Sequence, residues 1–195
     1  NRRKNTAKRG HKVTQTRMRQ SALHGTFAHV TDICSALEGM RLVKDYLPRA
    51  YADGTDIEAR ANMMSAAAMG ATAFQKGLGA IHALSHPIGA HHHTHHGTTN
   101  AVCMPAVLQF NAPAIRDRFG PAAAYLGIEG GFDGFCAFVD QLNDSLGIPK
   151  SLTDLGVTDP DLDTLVEAAL RDPSTGGNPI EMTAENTRKL FEAVL

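Results

Sequence analysis

From residue 36 onward the apolar positions recur at helical spacing, and no run alternates with the period of two that a strand requires. Leu37, Met40, Leu42, Val43 and Leu47 predict a helix that ends near Pro48. Thr55-x-x-Glu58 reads as a capping box that opens an Ala/Met-rich helix from Asp56 to about Gln75. Small residues lie around its whole circumference, which predicts a helix packed on several sides. Another helix is expected over Thr99–Phe110, with Pro105 in its first turns or at a kink. One more is expected over Ala114–Leu126, interrupted at Gly120-Pro121. Phe132, Phe135, Cys136, Val139, Leu142 and Leu146 share one face of a helix stopped by Gly147. Thr158-x-x-Asp161 is expected to cap a helix whose buried stripe is Leu162, Leu165, Val166, Ala169 and Leu170. Thr183 is expected to cap the last one, which carries Leu190, Phe191 and Val194. About six to eight helices and no strand predict an all-α fold, an irregular multi-helix bundle.

Composition sets the outer limits. A chain of 195 residues with 43% apolar and 20% charged residues buries a real core in one domain. Its apolar stretches are all shorter than the roughly 20 residues of a membrane span. Cys34, Cys103 and Cys136 form neither a disulfide framework nor a CxxC clip. That usage fits a reducing compartment, and the expected location is cytoplasmic. Without Trp, and with 6% aromatics, a base-stacking surface is not expected, so neither nucleic acid nor membrane is an expected partner.

The net charge of −1 hides two unlike segments. Residues 1–35 hold eight Lys/Arg and one acid, whereas residues 36–195 hold eleven Lys/Arg and nineteen acids. The first segment is Arg- and Thr-rich, as transit peptides are, and its charge also suits a basic arm, but it lacks an amphipathic face. The expectation is a basic, atypical, solvated tail over 1–35 and a helical domain over 36–195.

The candidate chemistry lies in one stretch, for seven of the ten histidines fall between positions 82 and 96, in GLGAIHALSHPIGAHHHTHHGTTN. His82 and His86 are spaced i,i+4, so on a helix they share a face and can reach one ion. Pro87 is expected to end or bend that helix, and Gly89 to let the chain turn back and bring up a later histidine. The flanking Ala80, Ile81, Ala83 and Leu84 predict a buried pair, which needs a metal or a hydrogen bond to satisfy its polar atoms. Imidazoles suit Zn, Fe, Cu or Ni, but position 83 is Ala, so this is not the HExxH of a zinc protease. The residues alone leave two readings open: a metal site, or histidines that are ordinary satisfied polar groups and a surface low-complexity tract.

The string GLGAIHALSHPIGA…THHGTTNAVCMP resembles the metal-site signature of the iron-containing (group III) alcohol dehydrogenases. LGIPKSLTDLGV and DPSTGGNPIEMTAENTRKLFEAVL are similar to that family's C-terminal helices. The resemblance covers residues 36–195 and implies an all-helical metal-binding domain, in enzymes whose other domain binds NAD(P). It implies His82 and His96 as metal ligands and His86 as a non-ligand catalytic histidine, and it assigns nothing to His91, His92, His93 or His95. It further implies Fe²⁺ (or Zn²⁺) as a Lewis acid, NAD(P) as the hydride partner, a small alcohol or aldehyde as substrate and a homo-oligomer. Cofactor-binding residues are not identifiable in this chain. The family's other two ligands, an Asp and a His four residues apart, have no match, since residues 1–81 contain no DxxxH. A start read out of frame would explain the charge break near Ala36, and the fragment is expected to be incomplete as an enzyme. The alternative is a non-enzymatic, His-rich helical metal-binding module.

Overall fold

The computed structural model describes residues 32–195. Among them are seven α-helices, two short 3₁₀ turns and no strand. In chain order the helices are α1 (32–52), α2 (Ile57–Ala73), α3 (Ala80–His92), α4 (His96–Tyr125), α5 (Gly131–Ser145), α6 (Leu162–Arg171) and α7 (Ala184–Val194). The all-α expectation therefore holds. The basic-tail expectation concerns residues that lie almost wholly outside the described ones, and residues 32–35 belong to α1.

Prolines account for most of the shifted boundaries. α1 continues through Pro48 to residue 52, and α3 runs through Pro87 to His92. α4 is one helix of 30 residues through Pro105, Pro113 and Pro121, where two helices were expected. Each proline removes one backbone hydrogen bond. α4 packs along α3 and α5, and this tertiary burial outweighs the loss. The turn after α3 accordingly falls not at Pro87-Ile88-Gly89 but at His93, whose φ of 55° is left-handed.

Two caps also move. Thr55 donates its hydroxyl and its N–H to Asp53, so the N-cap of α2 is Asp56, which accepts from the Ala59 N–H. Asp161, not Thr158, caps α6: the helix begins only at Leu162, and the Asp161 side chain accepts from the Thr164 N–H, while Asp159 stands outside the right-handed helical region at a φ of 50°. Thr183 caps α7 as expected, in a reciprocal box with Asn186.

The main core joins α3, α4, α6 and α7 around Leu84, Ile88, Cys103, Leu165 and Phe191. Leu152 and Val157 close it from the loop between α5 and α6. A second cluster joins α4 and α5 around Leu108, Phe132, Phe135 and Val139, with Met40 of α1 against it. α2 departs from its expected burial: only Ala59 and Ala66 are buried, while Ile57 and Met64 are about three-quarters exposed (74% and 76%). Its small residues instead permit close approach to α1, where a Cβ on Gly39 would touch Met69 and the Ala66 carbonyl. Between α1–α2 and α4–α5 lies an apolar cavity of about 670 Å³.

The three thiols provide a test of the packing. Cys34 is exposed, Cys136 half-buried and Cys103 buried. Burial pushes the Cys103 thiol up from 9 to about 12. A thiol-specific reagent is expected to label Cys34 at once and Cys103 only on unfolding. A raised folded-state pKa stabilises fully below pH 9, and that contribution is lost as pH rises toward about 12. The stability advantage of wild type over Cys103→Ala is therefore expected to shrink above pH 9, which urea melts on both sides of that value read directly.

Candidate metal centre

α3 and the first turn of α4 form a tight hairpin that brings His82, His86 and His96 together. The ring centroids lie 5.6 Å apart for His82–His86, 5.3 Å for His82–His96 and 5.4 Å for His86–His96. The i,i+4 spacing sets the first pair on one face of α3, and the left-handed turn at His93 returns the chain so that His96 meets it. Asn100, one turn further along α4, marks the point of convergence. Its Nδ2 lies 3.1 Å from His96 Nε2 and 3.4 Å from His82 Nε2. Its Oδ1 is buried with no hydrogen-bond partner.

The expected burial of the pair holds only in part. His82 is half-buried, whereas His86 and His96 are exposed, because α3 turns Ala83, Leu84, Pro87 and Ile88 into the core and leaves the histidines at its rim. Burial, followed by the nearby charges of His96 and His86, lowers the pKa of His82, which favours the neutral ring over the charged one. His95 accepts from the Thr98 N–H as the N-cap of α4, a role its position in the tract did not announce.

Two imidazole nitrogens that approach one point are the kind of donor that Fe²⁺ and Zn²⁺ accept. Among the described residues no group of three or more His, Cys, Asp or Glu is arranged to hold an ion. The histidine hairpin thus fits part of a metal's ligand set.

Polar residues from the last quarter of the chain fix this hairpin, and sequence reading missed them. Asp172 Oδ2 lies 2.7 Å from His86 Nδ1, and its Oδ1 accepts from the Ser174 N–H. Burial pushes the Asp172 carboxyl up, but hydrogen bonds from Ser174 and His86 together outweigh it and leave the pKa lowered. Asn178 accepts from the Ala80 N–H at the start of α3 and exchanges two hydrogen bonds with Asn111. Only the DPSTGGNP string pointed to this region, since no spacing rule ties residue 172 to residue 86.

The family model described as "Fe-containing alcohol dehydrogenase family, C-terminal" matches residues 26–195. The chain belongs to the iron-containing alcohol dehydrogenase family. Within that family it is 42% identical over 166 residues to the 4-hydroxybutyrate dehydrogenase of Cupriavidus necator, covering 80% of this chain and 43% of that protein. It is 35% identical over 174 residues to the NAD-dependent methanol dehydrogenase of Bacillus methanolicus, covering 85% of this chain and 45% of that protein. Its fold is similar to a solved 1,3-propanediol oxidoreductase, with a TM-score of 0.79, 31% identity, and coverage of 85% of this chain and 45% of that one. The chain thus spans less than half the length of these iron-containing alcohol dehydrogenase relatives.

Proposed function

We propose that this chain is the metal-bearing half of an NAD(P)-linked dehydrogenase that interconverts a small alcohol and its aldehyde. His82 and His96 are two of the metal's ligands, and His86 takes the substrate's hydroxyl proton. The observation that carries this reading is the approach of His82 Nε2 and His96 Nε2 to a single point at Asn100. Fe²⁺ or Zn²⁺ bound there supplies Lewis acidity toward the substrate oxygen. In the oxidative direction His86 would take the proton from the alcohol oxygen, and a bound nicotinamide would supply the acceptor for the hydride from carbon, so that alcohol and oxidised cofactor balance against aldehyde, reduced cofactor and a proton. Burial favours the neutral form of His82, and His86 lies exposed to solvent beside it. The remaining ligands and the nicotinamide site belong to the portion of the relatives that this chain does not match. A cytoplasmic location and a homo-oligomer are part of the same proposal; among the described residues no helix is long and apolar enough to cross a membrane.

The test is metal titration of the protein in His→Ala variants, with Zn²⁺ and with Co²⁺ as an Fe²⁺ surrogate. His82→Ala and His96→Ala are each expected to weaken binding at least about tenfold, the least that loss of even an outer-shell partner costs. His91→Ala and His93→Ala are expected to leave it unchanged. Equal losses across all four variants would assign the binding to the surface tract and overturn the proposal in favour of an interaction module.

A further inference from the structure

His86 is held from outside the hairpin by a residue that the reading above does not use. Asp172 sits where α6 ends and a 3₁₀ turn (Pro173–Gly177) begins, and its side chain is 13% exposed. Its two oxygens are divided: Oδ1 accepts from the Ser174 N–H at 2.8 Å, and Oδ2 faces His86 Nδ1 at 2.7 Å. Both ends of the segment carrying it are anchored. Thr175 Oγ1 donates to the Ala169 carbonyl, and Asn178 holds the Ala80 N–H at the start of the helix that bears His86. The carboxylate therefore has little freedom to leave the ring.

A carboxylate oxygen at that distance has no proton to give, so the hydrogen between the two atoms belongs to Nδ1. In a neutral ring the other nitrogen is then an acceptor. We propose that Asp172 is a positioning residue for the reaction: it fixes His86 as the Nδ1–H tautomer and leaves Nε2 as the acceptor nitrogen beside the His82–His96 pair. The inference rests on the proposed proton-accepting role of His86 for its meaning, but its geometry stands without a metal. An imidazole that takes a proton from a hydroxyl needs a bare nitrogen and a fixed ring, and the ring here is stacked on His96 at an interplanar angle of 17°. A ring free to exchange tautomers would present an N–H to the substrate for part of the time.

The test uses the whole chain without metal, labelled with ¹⁵N in histidine and observed by long-range proton–nitrogen correlation at mildly alkaline pH. His86→Gln identifies the signals of that ring by their disappearance. Wild type is expected to show a protonated Nδ1 and a bare Nε2. Asp172→Asn keeps an oxygen for the Ser174 N–H and places an amide able to donate against Nδ1, so the population is expected to move toward the Nε2–H form. Asp172→Glu restores the carboxylate and is expected to restore at least part of the wild-type pattern. An Nε2–H ring or a doubly protonated ring in wild type overturns the proposal. So does an unchanged tautomer in Asp172→Asn with only a lower melting temperature, the result of a mere strut. Failure of the metal titration above leaves this tautomer readout intact, so the two proposals fail separately.

Discussion

Assayed as residues 1–195, the protein is expected to form no NADH or NADPH from short-chain alcohols, even with Fe²⁺ or Zn²⁺ supplied without oxygen. A catalytic metal keeps three protein ligands and one open position. This chain brings two imidazoles to a point, and among the described residues no third ligand joins them in a metal-holding group. The sequence also has no glycine-rich phosphate loop to seat a dinucleotide. Both deficits act on the transition state, one through charge stabilisation at oxygen and the other through alignment of the hydride acceptor. Joined to the unmatched half of a family relative, the chain is expected to gain turnover, and His82→Ala in the joined protein to abolish it. Reduced-cofactor absorbance reads both outcomes, and robust metal-dependent turnover by 1–195 alone would overturn the assignment of an incomplete site.

Gly177→Ala is expected to destabilise the fold by roughly 1–3 kcal/mol, the usual range for forcing extra volume into a packed site. A Cβ at Gly177 would stand 2.0 Å from the Leu78 carbonyl oxygen, and that oxygen is backbone, so no rotamer change relieves the clash. The segment before α3 has to move away, and it takes with it the Ala80–Asn178 hydrogen bond and the register of His82 and His86. Metal affinity is therefore expected to fall along with the urea midpoint. Gly176→Ala is the matched control, since a Cβ there meets nothing within 4 Å. Equal midpoints for the two variants would show that the glycine at 177 is not required.

The contrast between these two positions shows which parts of the site were legible in the sequence. His82 and His86 were legible from their i,i+4 spacing, whereas His96 was singled out by the resemblance to the family signature and reaches them through a turn at His93 rather than at Pro87-Ile88-Gly89. Thr183 was legible for the same reason as that first pair: its partner Asn186 is three residues away. The prolines at 48, 87 and 121 misled because their cost is local, whereas the burial that overrides it comes from neighbouring helices. Asp172, Asn178 and Gly177 were beyond reach, for each acts on residues 86 to 99 positions away through a contact that only the folded backbone creates.

That separation sets an order of events during synthesis. The hairpin of α3 and the start of α4 leaves the ribosome as a local unit, but the carboxylate that steadies His86 is 86 residues behind it. At about 5–20 residues per second the interval is roughly 4–17 s, long against the microsecond scale on which helices form. Throughout it Leu84 and Ile88 have no α6 or α7 to cover them, and the nascent chain displays an apolar helix face beside a cluster of imidazole rings. Whatever meets the chain in that interval meets the half-built form, with the histidine hairpin complete and its supporting carboxylate still to come.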